Sequence, residues 1–224
     1  MKTTLFLSGL FCVLFMPAGL LAQQPVVPRE TQAVSPYQRY TTYMVTLRYG
    51  VAQPLGGLSD YIDQTGTRNF ALTGEWVRPG NLSFGAQYNT NSFKKRLPRQ
   101  LYTFGDGADV SAVQTRTVSI QSLVATGKYH FAGVNARIRP YVQAGLGAAL
   151  VDYGLYWGNL ADEANGSTVH FTAQIAVGSR FLFGREGHWG ADVQAGYQYV
   201  PYARSGISNI ASAGASVGLL YRWW

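Results

Sequence analysis

From Tyr43 to the last residue, apolar and polar side chains alternate with a period of two through eight segments. The sixth is the clearest. Val169, Phe171, Ala173, Ile175, Val177, Phe181 and Phe183 share one face, and His170, Thr172, Gln174, Gly178 and Arg180 share the other. That period belongs to a strand and not to a helix. The predicted strands cover 43–52, 69–77, 81–90, 117–131, 136–153, 169–183, 189–201 and 210–224. In the fourth the pattern changes phase near Ser122, which predicts a β-bulge.

The connections have their own regularity. Long ones (53–68, 91–116, 154–168, 202–209) follow the odd strands, and short ones (78–80, 132–135, 184–188) follow the even strands. Short turns at one end and long loops at the other are the pattern of an outer-membrane barrel, with the long loops outside.

A soluble sandwich also alternates, but its inner face must be apolar. Here the face opposite the apolar one carries Arg48, Glu75, Gln143, Gln174, Arg180, Asp192, Gln194 and Arg222. The apolar side chains must therefore look outward into lipid. Aromatic residues gather at both strand ends, Trp76, Phe131, Phe183, Trp189, Trp223 and Trp224 by the short turns, Tyr88, Tyr153, Tyr156, Trp157, Tyr199 and Tyr202 by the long loops. Two such girdles match two lipid–water interfaces. A free strand edge in lipid leaves backbone groups unpaired at several kcal/mol each, so strand eight should close on strand one. The expected fold is all-β, an eight-stranded antiparallel up-and-down transmembrane β-barrel over residues 41–224. An eight-stranded lumen is just wide enough for side chains to fill. Arg48, Arg180 and Arg222 are expected to form an interior polar network there with Glu75 and Asp192.

Ahead of the strands, Lys2, the apolar run Leu5–Phe15, the breakers Pro17 and Gly19, and Ala22 have the form of a secretory signal peptide over residues 1–22. Residues 23–40, with Pro25, Pro28 and Pro36, are expected to be a flexible periplasmic lead-in. The one cysteine, Cys12, lies inside the signal, so no disulfide or thiolate metal site is expected after cleavage. No later apolar run approaches the roughly 18 residues of a spanning helix. The net charge of +7 points, after export, to phosphate-bearing lipid and not to nucleic acid.

With this architecture over residues 40–224, the chain resembles the small outer-membrane β-barrels of Gram-negative bacteria, the OmpA/OmpX/OmpW-like and opacity-protein-like group. The sharpest shared piece is C-terminal. Gly218, Tyr221 and Trp223, followed by Trp224, look like the terminal-strand signal read by the barrel-assembly machinery, with tryptophan where phenylalanine is usual. The last strand is an open edge until closure and can pair with such a partner by strand addition. The resemblance implies an integral outer-membrane protein, expected to be a monomer, with a structural, adhesive or surface-binding role. A narrow channel for small or apolar solutes is one alternative, and a lipid A-modifying enzyme is another.

Candidate chemistry is sparse. Lys94, Lys95, Arg96 and Arg99 cluster just past strand three, in what reads as an external loop, where they could bind lipopolysaccharide phosphates by charge-assisted hydrogen bonds. His170 and Thr172 have the spacing of the His-x-Ser pair of lipid A deacylases, but threonine replaces serine and both fall on the inner face. His130, His170 and His188 lie apart, without metal-ligand spacing. No metal, cofactor or enzymatic activity is expected.

Overall fold

The computed structural model describes residues 36–103, 109–158, 160–161, 166–184, 187–202 and 207–224. The expected signal peptide and most of the lead-in lie outside them. Eight long antiparallel strands form the barrel: β1 Thr42–Leu55, β2 Gly66–Val77, β3 Leu82–Thr103, β4 Asp109–His130, β5 Ile138–Trp157, β6 Gly166–Phe183, β7 Trp189–Val200 and β8 Ile210–Trp223. Each pairs with its sequence neighbours, and β1 pairs with β8 from Tyr43↔Trp223 to Leu55↔Ala211, which closes the cylinder. A two-residue strand, Leu160–Ala161, adds to the outer end of β5. One turn of helix, α1 (Pro36–Arg39), precedes β1, and another, α2 (Gly57–Tyr61), follows it.

The outward face is apolar. Leu47, Leu123, Leu146, Ile175, Val193, Val217 and Leu219 are all exposed, Leu219 to 64%. The inward neighbours on the same strands are buried and polar, among them Arg48, Gln143, Gln174 and Asp192. Polarity is thus inverted relative to a water-soluble fold, as lipid demands.

Two expectations need correction. β4 pairs with β3 and β5 without a break at Ser122, so no bulge is present there. The apparent change of phase is a change of environment. Val118 and Ile120 point inward with Ser122 and Val124, because the lumen turns apolar toward the long loops. The second long connection is also mostly strand. β3 and β4 have 22 residues each, paired out to Thr103↔Asp109. At ~3.3 Å per residue and a tilt near 40° such a strand rises about 55 Å, roughly twice the ~25 Å apolar band. β2 leaves β3 at Arg68↔Ser92, whereas β4 stays with β5 to Gln114↔Trp157. A staggered wall of β3, β4 and β5 therefore stands above the membrane on one side of the barrel.

Candidate functional site

The lumen is filled in layers. The middle layer holds the charges. Glu75 on β2 accepts from Lys128 on β4 and from Arg180 on β6. Asp192 on β7 accepts from Arg48 on β1 at 3.1 Å, from Arg180 at 3.4 Å and from the Tyr141 hydroxyl at 3.0 Å. Arg48 also donates to Thr73 Oγ1 at 2.6 Å and Gln87 Oε1 at 3.0 Å. Lys128 Nζ and the Arg180 guanidinium lie 4.8 and 5.1 Å from the Tyr141 ring centre. Arg48, Glu75, Arg180 and Asp192 thus meet in one network. Lys128 and Tyr141, which sequence reasoning left out of it, complete the layer. Period two offered the clue, since Lys128 shares an inward row with Thr126 and His130.

Arg222 departs from expectation. It makes no ion pair with either carboxylate. It sits at the short-turn end and donates to the carbonyls of Gly187 and Val134, at 2.9 Å for the latter. Its guanidinium lies 3.8 Å from the Tyr37 ring centre. Arg139 is used alike, donating to Gly80 O at 2.7 Å and Ala132 O at 3.1 Å. These two arginines tie the short turns over the mouth, because turn carbonyls have no strand partner to accept from. Around Arg222, Tyr37, Met44, Val77, Val134, Leu182 and Leu220 form an apolar stopper. Tyr37 comes from α1, so the end of the expected lead-in is built into the barrel floor. Its hydroxyl is 2.8 Å from His188 Nδ1 and its ring packs edge-on against Trp224 at 5.1 Å.

Above the charges lies a neutral layer. Asn69, Gln87, Asn89, Asn91, Gln174, Gln194, Gln198 and Ser212 line a cavity of about 70 Å³, room for a few water molecules. Above that the lumen is apolar again. Leu58 and Ile62, both fully buried, dip from α2 and its exit into a cluster with Phe93, Val118, Ile120, Val151, Val200 and Ile210. Tyr153 and Tyr202 belong to this cluster, so they do not stand in the outer aromatic girdle assigned to them above. The Tyr61 hydroxyl donates to Tyr153 at 2.8 Å, and the Arg116 guanidinium covers the Tyr61 ring at 4.7 Å. Lys95 holds Asp63 at 3.0 Å across this lid and draws its carboxyl below the ordinary aspartate range.

The basic cluster is therefore divided, and it lies in strand β3 and not in a loop. Antiparallel partners share a face. Lys94, Arg96 and Arg99 pair with Thr117, Thr115 and Val113, the outward row of β4, whereas Lys95 pairs with the inward Arg116. Arg96 and Arg99 are three apart and would ordinarily take opposite faces. A bulge between them absorbs one residue and turns Arg99 outward too.

His170 and Thr172 both face the lumen. His170 Nε2 is 2.9 Å from Thr168 Oγ1, and the Thr172 hydroxyl is committed to Tyr199 O at 3.2 Å. At the C-terminus, Tyr221 and Trp223 face outward, while Trp224 packs on Tyr37 and His188. Gly218 has a local reason to be glycine. It stands in register with Arg48 on one side and Asp192 on the other, and a Cβ there would come within 2.6 Å of Arg48 Cγ.

No protein-family model matches the chain, and no curated protein does. Among solved structures it is similar to Neisserial surface protein A (14% identity, 82% of this chain, 97% of that one, TM-score 0.49). It is similar to Ail, the attachment invasion locus protein of Yersinia pestis (12%, 82% and 99%, TM-score 0.45), and to the outer membrane protein OprG from Pseudomonas aeruginosa (12%, 82% and 96%, TM-score 0.45). What places this chain is its own polarity. An apolar belt around a closed, charge-filled cylinder fits lipid outside and protein inside, and the chain is an eight-stranded transmembrane β-barrel.

Proposed function

We propose that the protein is a non-conducting, non-enzymatic barrel that acts at the cell surface, as an envelope component that holds its extracellular wall and loops out for binding or adhesion. The filled lumen carries this reading. A solute would have to pass an apolar lid, an amide layer, a five-member charge layer and an apolar floor in series. The competing reading as a narrow channel needs a continuous water path or a greasy conduit, and the Arg48–Asp192 and Glu75–Arg180 pairs across the lumen speak against both. Lipid A chemistry needs a nucleophile open to lipid, and Thr172 points the other way with its hydroxyl engaged. Export and barrel-machinery recognition of the terminal strand belong to the same reading.

Reconstitution in planar bilayers tests it. The expected record shows no steps above leak. Regular unitary conductance from correctly folded protein would favour the channel instead.

A further inference from the structure

The outward basic residues of β3 stand at a defined height. Leu82 is the first outward residue of β3 after the short turn. From there the strand climbs roughly 2.5 Å along the membrane normal per residue, given ~3.3 Å per residue and a tilt near 40°. The apolar band, ~25 Å tall, is used up about ten residues on, near Ser92. The side chains agree, since the outward row changes there from Leu82, Phe84 and Tyr88 to Thr90, Ser92, Lys94 and Arg96. Lys94, Arg96 and Arg99 therefore lie roughly 5, 10 and 15 Å above the hydrocarbon edge by the same rise. Arg68 of β2, exposed and in register with Ser92, sits at the edge itself. Among the described side chains, the outward carboxylate of the adjoining wall, Asp152, is two strands away and accepts from Ser167. The four cations form a column of one sign on the barrel wall, directly above lipid-facing aromatics.

We propose that Arg68, Lys94, Arg96 and Arg99 form a binding site for a phosphorylated glycolipid of the outer leaflet, with the bulge at Arg96/Arg99 serving to aim Arg99 at it. Position selects this ligand over a soluble polyanion. The cations are on the side wall and not at a loop tip. Their spread of about 10–15 Å also exceeds an ordinary phospholipid headgroup layer of ~5–7 Å. A lipid carrying phosphates and sugars at several depths matches that spread. Each exposed cation near an anionic surface is worth about 1 kcal/mol, roughly a fivefold change in affinity. The site depends on the barrel standing in lipid and not on the lumen being sealed, so a conductance result leaves it untouched.

The test uses the full chain in detergent, titrated with a bisphosphorylated outer-leaflet glycolipid and with the same lipid stripped of phosphate. Folding of each variant is checked by heat-modifiable gel migration. The triple variant Lys94→Gln, Arg96→Gln, Arg99→Gln is expected to bind the phosphorylated lipid on the order of 10- to 100-fold more weakly. The parent protein should show a similar deficit with the stripped lipid. Lys95→Gln, on the inner face, should bind like the parent. If the triple variant fails to fold, Lys94→Glu alone is expected to show a loss of several-fold. Undiminished binding by the folded variants, an equal loss in Lys95→Gln, or indifference to lipid phosphate would each overturn the proposal. So would a soluble sulfated polysaccharide that binds the column as tightly without lipid.

Discussion

Arg48 reaches Asp192 across Gly218. The arginine is on β1 and the aspartate on β7, and Gly218 of β8 stands in register with both. Because that residue has no side chain, the Arg48 stem can lie over it and place Nη1 3.1 Å from Asp192 Oδ1. The contact spans the seam where the last strand meets the first. It ties the interior charge layer to barrel closure.

Gly218→Ala should therefore strain the seam. The added Cβ would lie 2.0 Å from Leu47 O, a backbone atom that cannot swing aside. Overpacking of this kind costs about 1–3 kcal/mol. Urea unfolding in lipid vesicles should show a lower midpoint, and slower closure should lengthen the time to the heat-modifiable form. A midpoint equal to that of the parent would show that the strand shifts freely.

Removing one charge should cost more than removing a pair. Asp192→Ala leaves Arg48 and Arg180 without that carboxylate inside the lumen, which predicts a loss of about 3–5 kcal/mol. The double variant Arg48→Met, Asp192→Leu removes the pair and is expected to recover part of that loss. Double-mutant analysis of unfolding free energies reads the coupling directly. Additive losses would mean the two groups do not depend on each other.

The lid and the charge layer should come apart experimentally. Leu58→Ala and Ile62→Ala each empty a fully buried site, so backbone amides near 57–63 should exchange faster. The barrel's own melting should hold, because the strand ladder closes without α2. Conductance should remain absent, since the ionic layer still fills the lumen below. The Lys95–Asp63 contact is pH-linked. The Asp63 carboxyl sits below its ordinary value, so the contact is fully present above that value and is lost only as pH falls through the lowered one. Acid should thus lower the protection of the 57–63 amides, taken relative to their intrinsic exchange rate at each pH, in the parent and have less effect in Asp63→Asn.

The floor depends on a residue ahead of the first strand. Tyr37→Ala removes the cation–π contact with Arg222 and the edge contact with Trp224. A stability loss of roughly 1–2 kcal/mol is expected, most of it from the partly desolvated cation–π pair. Tyr37→Phe keeps both ring contacts and should lose less.

The eight strands were legible because lipid imposes one demand on every residue of a strand, and a period of two is its direct imprint. What was not legible lies where that demand lapses. Above the membrane both faces of β3 and β4 meet water or protein, so Ser92, Lys95 and Thr115 carry no alternation and the wall read as loop. Inside the upper lumen, Phe93, Val118, Ile120 and Val151 face one another, and apolar residues there mimicked a shift of register. The charge network was visible in part. Arg48, Glu75, Arg180 and Asp192 stood out as charges on the face opposite the apolar rows, but Arg222 was drawn instead to turn carbonyls whose positions no periodicity records. The facing of Arg99 needed the bulge, which Pro98 marks only weakly.

The direction in which alternate side chains point separates a lipid-facing barrel from a soluble one, and nitroxide scanning along β5 measures that direction. Single cysteines at Val142, Gln143, Ala144, Gly145 and Leu146, spin-labelled in vesicles, are relaxed by lipid-soluble oxygen or by a water-soluble nickel chelate. Labels at Val142, Ala144 and Leu146 should respond strongly to oxygen and little to nickel, with those at Gln143 and Gly145 shielded from oxygen. Oxygen access at Gln143 and Gly145, with Val142 and Leu146 shielded from it, would contradict the account.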